Sequence, residues 1–323
     1  MFLKKIYIEN FRVLKDIEIQ FEKEFTPTVF PLGSLNGGGK STLLQLVFTL
    51  LHCSFQKQRH QYLVNLLSTL SAKVTTLAKF DILHENKEFY LEFIVSENKT
   101  LAENSKNILY ITHFNNEKVL LCKTNLDDTE ILPKMSDKVY LAAPSTQIFL
   151  FLSEQEKEAF FSRESGIIHY IDYLNQAKEK LTGFFPYDFA STNLIIKSFE
   201  KARDKDFEDA LENGKYGFII TVNKELSSIV FKLKNDNEKL LPEDLSHGEL
   251  KKLSIYIWLK YYAIEDSLIL MDEIEIGLHP DWQYEIVNEL QEWAKTNQFI
   301  LATHSYELCQ ALTPSHVKVR NKS

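Results

Sequence analysis

Apolar and polar residues alternate near the start of the chain, and this period of two is typical of strands that bury one face. The alternation over residues 6–21 predicts two strands, joined at residues 10–12. Four further strand-like stretches are separated by short polar turns and lie at residues 79–83, 88–95, 108–111 and 118–121. Because such short spacings favour antiparallel hairpins over βαβ units, an inserted antiparallel β-lobe is expected between residues 74 and 123.

Apolar runs without alternation occur at residues 267–271 and 298–302, and such runs are typical of strands buried on both faces of a parallel sheet. The helix expected after residue 41 is apolar nearly all round, so it should be buried on most sides. Residues 153–212 predict several helices, followed by a hairpin over 216–233. The charges of this helical region are typical of solvated helix faces, with a partner or DNA surface as the alternative. The pattern predicts an α/β fold.

Composition narrows the classes of protein to consider. The chain has 323 residues, of which 44% are hydrophobic and 25% charged, as in ordinary globular proteins. A net charge of −8 argues against a surface dominated by non-specific nucleic-acid binding, although a local basic patch remains compatible with it. Three widely separated cysteines indicate neither a disulfide framework nor a zinc site. With no signal peptide and no apolar stretch of about 20 residues, a cytoplasmic protein without membrane contact is expected.

A glycine-rich loop between a short apolar run and an apolar helix carries the clearest chemistry. Glycines let successive backbone N–H groups surround an anion, and the helix start adds partial positive charge. In this pattern Lys40 reaches the β- and γ-phosphates and the Ser41 hydroxyl ligates Mg²⁺. Ser34 stands where G-x-x-x-x-G-K-[ST] has its first glycine, so a slightly altered loop entry is expected. The predicted nucleotide-binding residues are Asn36, Gly37, Gly38, Gly39, Lys40, Ser41 and Thr42.

Two carboxylates follow the apolar run at 267–271. Placing Asp272 and Glu273 at the end of a buried strand is costly unless they serve a cation or a proton transfer. Asp272 would hold Mg²⁺, and Glu273 would orient or deprotonate an attacking water. The second run leads to His304, a candidate for contact with the γ-phosphate. The alternative is a strand that ends in a solvated acidic turn.

The pattern predicts an amphipathic helix over residues 250–262, directly after residues 245–249. Ser246 is a natural N-cap, and Gly248 permits close backbone approach at the helix start. Such a helix end is a second surface that favours anions. Further along, Pro280 is suited to the first position of a helix.

Taken in order, these pieces resemble the ATP-binding cassette (ABC) ATPases, and within them the soluble branch of SMC, RecF-like and OLD-like ATPases (the AAA_21 and AAA_15 type). The opening strands over residues 8–21 resemble those of this branch. The matching motifs are Walker A at 36–42, the signature motif at 245–249, Walker B at 268–273, the D-loop at 275–280 and the switch histidine at 303–305.

The resemblance implies an ABC-ATPase head fold, with a mostly parallel RecA-like sheet, an inserted antiparallel β-lobe and a helical signature lobe. It implies one domain over residues 1–323, divided into 1–152, 153–245 and 246–323. ATP and Mg²⁺ are the implied cofactors, and Glu273 and His304 the implied catalytic residues of a slow, regulatory ATPase.

The resemblance also implies several finer contacts. Gln147 is the best candidate for the Q-loop glutamine that contacts Mg²⁺ or water, beside Ser41 and Asp272, and Arg12 is a candidate phosphate contact. Two subunits would pair head to tail, so that Ser246 and Gly248 of one complete the ATP site of the other.

No long coiled-coil arms are predicted, and about twenty residues follow His304, so a compact ATPase without an effector of its own is expected. Compact ATPases of this kind resemble subunits of Septu-type and retron-associated anti-phage systems, where a separately encoded nuclease or toxin is the effector. One alternative is a RecF-like repair ATPase that clamps DNA. Another is a regulatory protein that binds ATP with negligible turnover.

Overall fold

The computed structural model describes residues 1–33, 38–68, 70, 76–97, 105–115, 118–161, 180–187, 218–223, 228–233, 239–240 and 244–319. The strands, in chain order, are β1 (Phe2–Phe11), β2 (Leu14–Gln20), β3 (Val29–Gly33), β4 (Thr76–His84), β5 (Lys87–Ser96), β6 (Ile108–Phe114), β7 (Lys118–Thr124), β8 (Val139–Ala143), β9 (Phe184–Pro186), β10 (Phe218–Asn223), β11 (Ser228–Leu233), β12 (Lys239–Leu240), β13 (Leu268–Asp272), β14 (Gln298–Ala302) and β15 (Lys318–Val319). The helices of the described residues are α1 (Lys40–Cys53), α2 (His60–Leu67), α3 (Ile131–Ser136), α4 (Glu154–Phe161), α5 (His247–Tyr261), α6 (Pro280–Trp293) and α7 (Tyr306–Gln310), with 3₁₀ turns at Lys57–Arg59 and Ser145–Phe151.

One sheet is antiparallel throughout and has the strand order β2-β1-β4-β5-β7-β6. Strands β4 to β7 confirm the four stretches predicted from alternation. The expectation of a lobe made only by an insertion is wrong, because β1 and β2 belong to the same sheet and Ile6 lies opposite Phe80. The turn between β1 and β2 also lies later than predicted, at Arg12 and Val13.

The second sheet is parallel throughout and has the order β15-β3-β14-β13-β8-β9. Its strands β13 and β14 confirm the two strands predicted from continuous apolar runs. The predicted "mostly parallel" sheet with an added lobe is therefore in fact two separate sheets of six strands each, one parallel and one antiparallel. A third, three-stranded antiparallel sheet contains the predicted hairpin, now seen as β10 and β11, together with β12.

Helix α1 lies in a hydrophobic core shared with both large sheets. Every residue from Leu43 to Cys53 is buried, as the apolar pattern predicts. The same core includes Phe80 of the antiparallel sheet and Leu270 of the parallel sheet. This burial holds the start of α1, and with it Lys40, at one edge of the parallel sheet.

Helix α5 begins three residues earlier than predicted and is not amphipathic in its middle. Residues 252–259 are all buried. Trp258 stacks on Phe185 of β9 at 4.6 Å, while Tyr256 contacts Trp293 of α6, so the helix is covered from more than one side. The buried charge of Lys252 is accommodated by pairing, since this residue forms an ion pair with Glu289 at 2.8 Å.

Among the residues that the structure describes, none of the helices combines the length and apolar character required to cross a bilayer. The three-part division of the chain stays a prediction. Most of the predicted helical region lies outside the described residues, as do Asn36 and Gly37 of the glycine-rich loop.

Candidate nucleotide site

Three neighbouring parallel strands end at the same edge of the sheet. Strand β14 lies between β3 and β13, and Ala302 is opposite both Leu32 and Asp272. The carboxyl ends of these three strands therefore lie side by side. In parallel α/β sheets, the carboxyl ends of the strands are where ligands bind.

Lys40 is the first residue of α1 and is 7% exposed. Burial lowers the pKa of its ammonium, whereas the charges of Glu275 and Asp272 act in the opposite direction. Its Nζ lies 3.3 Å from Nδ1 of His304, so the predicted phosphate-binding lysine and the predicted switch histidine are neighbours. Gly39, at the N-cap, has φ of 80° and no side chain to cap the helix. The first turn of α1 also has no acidic residue, and both features leave its N–H groups suited to an anion.

Asp272 lies at the end of β13 and is 1% exposed. Burial raises the pKa of its carboxyl, while hydrogen bonds from Gln147 and Ser41 act in the opposite direction. The Gln147 amide donates to Asp272 Oδ2, and its oxygen accepts from Gln45 of α1 at 3.3 Å. The three residues predicted to contact Mg²⁺ thus meet through side-chain hydrogen bonds.

This donor set fits Mg²⁺ better than a transition metal. Among the described residues, no group of three or more His, Cys, Asp or Glu side chains is arranged to hold a metal ion. Magnesium is instead held in proteins by one or two carboxylates, with substrate phosphates and water completing the octahedron. One buried carboxylate, hydrogen-bonded to a hydroxyl and to a side-chain amide, matches that requirement.

Glu273 follows Asp272 in a left-handed conformation, with φ of 55°. Its N–H donates to Ala302 O at 2.9 Å, which fastens the end of β13 to the end of β14. Its carbonyl accepts from Lys251 Nζ of α5 at 2.8 Å, and the same ammonium donates to Ile276 O at 3.1 Å. The segment that carries the predicted catalytic glutamate is therefore held from two sides.

The turn between β1 and β2 lies against the glycine-rich loop. A Cβ built on Gly39 would be 2.7 Å from Val13 and 2.8 Å from Leu14, so the turn covers this loop closely. The guanidinium of Arg12, in the same turn, lies over the Phe11 ring at 5.1 Å from its centre. Arg12 is thus the sequence neighbour of Val13, which lies against Gly39, while its described ring contact is with Phe11.

The predicted signature residues form a second group. Ser246 and Glu249 make a reciprocal capping box, in which Ser246 Oγ accepts from Glu249 N at 3.3 Å and Glu249 Oε2 accepts from Ser246 N at 2.7 Å. A Cβ on Gly248 would lie 2.4 Å from the carbonyl oxygen of Gly277, so only glycine allows this approach. The start of α5 therefore contacts the predicted D-loop of its own chain.

Sequence reasoning missed three residues that the site uses. Glu275 accepts the N–H of His304, Lys251 binds the carbonyl of Glu273, and the hydroxyl of Tyr187 donates to the carbonyl of Asp272. Glu275 lies inside a predicted motif without a predicted role. The other two contacts join residues far apart in the chain, and no periodicity or motif signals them.

Comparison with known proteins gives the family. Residues 35–310 match the AAA_21 family, described as "AAA domain, putative AbiEii toxin, Type IV TA system". The chain belongs to this family. The matched region of this AAA_21 member extends from the glycine-rich loop through the switch histidine, so it includes every motif of the predicted ATPase.

Curated relatives of this AAA_21 chain include a Septu protein and two probable retron ATPases. It is 24% identical to the Septu protein PtuA of Bacillus mycoides (strain KBAB4) over 98% of this chain and 40% of that protein. Over shorter stretches it is 38% identical to "Retron Ec83 probable ATPase" of Escherichia coli, covering 16% of this chain and 9% of that one. It is 40% identical to "Retron Vc95 probable ATPase" of Vibrio cholerae serotype O1 biovar El Tor, covering 17% and 11%. The chain thus spans well under half the length of these relatives, and the predicted resemblance to Septu-type and retron-associated ATPases is confirmed.

Solved structures with a similar course of the chain include the SMC head domain from Thermotoga maritima, at 13% identity, a TM-score of 0.49 and full coverage of both chains. An SMC head bound to the C-terminal winged-helix domain of ScpA is similar at 14% identity and the same TM-score, over 99% of this chain and 96% of that one. At this TM-score, the likeness is too weak to support a conclusion about function.

Proposed function

We propose that the chain is an ATP-binding and hydrolysing switch. In this proposal it pairs head to tail with a second copy around ATP, and it controls a separately encoded effector in bacterial anti-phage defence. The observation that carries the nucleotide part is the meeting of Lys40, Asp272 and His304 at one edge of the parallel sheet. A buried ammonium beside an uncapped helix start suits the phosphates of a nucleotide.

Each residue of the site then has a defined task. Lys40 and the first turn of α1 bind the β- and γ-phosphates. Ser41, Asp272 and Gln147 hold Mg²⁺, which when bound neutralises charge on the phosphate oxygens. Glu273 orients or deprotonates the attacking water, and the imidazole of His304 contacts the γ-phosphate.

The start of α5 supports the head-to-tail pairing. The hydroxyl of Ser246 accepts one hydrogen bond inside its own chain, and a hydroxyl retains one proton to donate. In a pair, that proton would go to the γ-phosphate held by the other copy. Ile276 of the D-loop and Tyr306 after the switch histidine are both exposed, as expected for residues that a second copy covers.

Replacing Glu273 by Gln tests the hydrolytic role. Loss of a general base typically lowers a rate by about 10²- to 10⁴-fold, so the turnover number should fall within this range while ATP affinity stays near the parental value. Because ATP would then persist between the copies, light scattering should detect a dimer with ATP and a monomer with ADP. Glu265→Gln, the same change at an exposed carboxylate just before β13, is the matched control. Parental turnover in Glu273→Gln would show that another group acts as the base.

The role in defence is supported by the Septu and retron relatives. Affinity purification of the chain, together with the product of the adjacent gene, tests for a dedicated effector. Recovery of a stable complex with little affinity for DNA supports the proposal. Duplex binding that is salt-sensitive and strengthens with ATP would instead indicate a RecF-like DNA clamp, and tight ATP binding without turnover would indicate a regulatory binding protein.

A further inference from the structure

Glu275 is a buried carboxylate that the ATPase motifs do not account for. It lies in the turn after β13 and is 8% exposed. Its Oε1 accepts the main-chain N–H of His304 at 2.6 Å, whereas its Oε2 is buried without a hydrogen-bond partner in the described part of the chain. Burying a carboxylate with one unsatisfied oxygen is costly, so its position calls for a compensating use.

The contact of Glu275 joins the two strand ends that form the site. Asp272 is the last residue of β13 and Glu273 follows it, whereas His304 follows β14. The N–H of Glu273 already fastens these ends at Ala302, and Glu275 adds a second bond two residues further along β14's continuation. Because this bond fixes the backbone of His304, it also fixes the point from which the imidazole side chain extends.

The charge of Glu275 acts on the same group that His304 approaches. Among the charges around Lys40, that of Glu275 has the largest effect on the pKa of the ammonium, and this charge raises the pKa. One carboxylate thus supports both neighbours at the phosphate end of the site: the histidine through a hydrogen bond and the lysine through its field.

The geometry points to Glu275 as a positioning residue that holds His304 beside Lys40 for the reaction at the γ-phosphate. This inference rests on the proposed ATPase function. It places no atom of Glu275 on the substrate, so the affinity for ATP should depend little on this side chain. The turnover number should depend on it strongly, because a displaced His304 affects the reacting phosphate.

Two variants separate the hydrogen bond from the charge. Glu275→Leu removes both, whereas Glu275→Gln keeps an oxygen to accept the N–H of His304. We expect Glu275→Leu to lower kcat by about 10- to 100-fold, as for one lost charge-assisted hydrogen bond, with KM for ATP changed by less than about threefold. Glu275→Gln should recover most of kcat. A Leu variant with parental kcat overturns the inference, and so does a Gln variant as slow as Leu.

Glu289→Leu is the matched control for loss of a buried acid. Glu289 is also largely buried, but its contact is the ion pair with Lys252. The Glu289→Leu variant should lower the midpoint of thermal unfolding, as Glu275→Leu does, but should leave kcat near the parental value. An equal loss of kcat in both variants would mean that destabilisation alone explains the effect, and would overturn the inference.

One measurement does not depend on ATP turnover, so it tests this inference separately from the proposed function. Selective ¹⁵N labelling of the nine histidines gives one backbone amide signal for each, and a His304→Asn variant identifies the signal of His304. This signal should move upfield in Glu275→Leu and stay in place in Glu275→Gln. If the chain neither binds nor hydrolyses ATP, the proposed function fails while the shift still reports on the bond. An unmoved signal in Glu275→Leu overturns the positioning role, whatever the activity.

Discussion

Helix α1, like any helix, leaves N–H groups without helical partners at its start and carbonyl groups at its end, and the two ends of α1 are capped differently. At the C-terminal end, Arg59 Nη1 donates to the carbonyl oxygen of His52 at 3.1 Å, so a cation of the chain itself satisfies the negative end of the helix. At the N-terminal end, Gly39 supplies no side-chain cap, and the first turn contains no acid. Among the described residues, the C-terminal end is therefore met by a side chain of the chain itself, whereas the N-terminal end has no side-chain cap and suits an anion.

Arg59 and Lys40 are the cations near the two ends of α1, and their surroundings extend this contrast. Arg59 also donates to Asp137 at 2.8 Å and to Thr182 at 3.0 Å, which ties α1 to two other segments. Lys40 is buried beside His304, and burial lowers its pKa. The three hydrogen bonds of Arg59 favour stability, whereas a buried cation in the first turn of an uncapped helix favours ligand binding. Variants at the two ends should therefore separate stability from nucleotide affinity.

The largest expected effect is the pH dependence contributed by His52. Burial, with a smaller effect from the charge of Arg59, lowers the pKa of His52 to about 3. Below a pH of about 6.5, His52 takes up a proton in the unfolded chain but stays neutral in the folded chain. The stability that neutral His52 contributes is therefore complete above that pH and is lost as the pH falls towards 3. The expected loss is about 1.4 kcal/mol for each pH unit, or roughly 4 kcal/mol over three units. Urea unfolding of the parental chain and of His52→Gln between pH 5 and 7 should therefore differ in slope; equal slopes would contradict a buried neutral His52.

Replacement of Lys40 by Met should weaken ATP binding and leave the fold intact. Losing charge-assisted hydrogen bonds to phosphate should cost about 2–3 kcal/mol, or roughly 30- to 150-fold in Kd, measured by titration with a fluorescent ATP analogue. Since the change removes a poorly solvated charge, the free energy of unfolding should not fall. Lys57→Met, at an exposed lysine beyond the other end of α1, is the control and should bind like the parental chain. Unchanged binding in Lys40→Met would remove the basis for a phosphate site.

Replacement of Arg59 by Met should give the reverse result. It leaves the carbonyl of His52 without its donor, at a cost of about 1–3 kcal/mol in the free energy of unfolding. ATP affinity, measured well below the unfolding temperature, should match the parental value. A selective loss of ATP affinity without loss of stability would show that the contrast between the two ends is wrong.

The smallest effect is expected for Gly39→Ala. A residue with a side chain pays about 1–2 kcal/mol for the left-handed backbone conformation that Gly39 adopts at φ of 80°. Its Cβ would also approach the side chain of Val13 to 2.7 Å. Leu14 would lie at 2.8 Å as well, so adding Val13→Ala should relieve only one of the two close contacts and leave the backbone part, as denaturant unfolding of both variants can determine. Complete recovery in the double variant would mean that the backbone conformation itself costs little.

Much of the fold was predictable because its elements are local. The alternation in β4 to β7, the apolar runs of β13 and β14 and the burial of α1 follow from residues close together in the chain. The positions of Lys40 at the start of α1 and of Asp272 at the end of β13 were also predictable, since the residues that indicate them are adjacent in the chain. Family membership follows from the order of these motifs.

The errors arose where partners are distant in sequence. Nothing in β1 alone shows that it pairs with β4, about seventy residues later, so the antiparallel sheet was predicted too small. The pattern of residues 250–262 suggested an amphipathic helix, but Lys252 is buried because Glu289 of α6 neutralises it. A local pattern reports a side chain's polarity and not the partner that makes its burial tolerable.

The amino-acid sequence by itself determined the strands, the buried helix α1 and the residue types that suit a nucleotide with Mg²⁺. Only the tertiary structure decided which end of α1 the chain satisfies for itself, and which carboxylate supports His304. Arg59 reaches Thr182 across more than a hundred residues of chain, and the contact between Glu275 and His304 spans nearly thirty. Hydrogen bonds depend on distances of about 3 Å between particular atoms, and those distances exist only once the strands have been brought side by side.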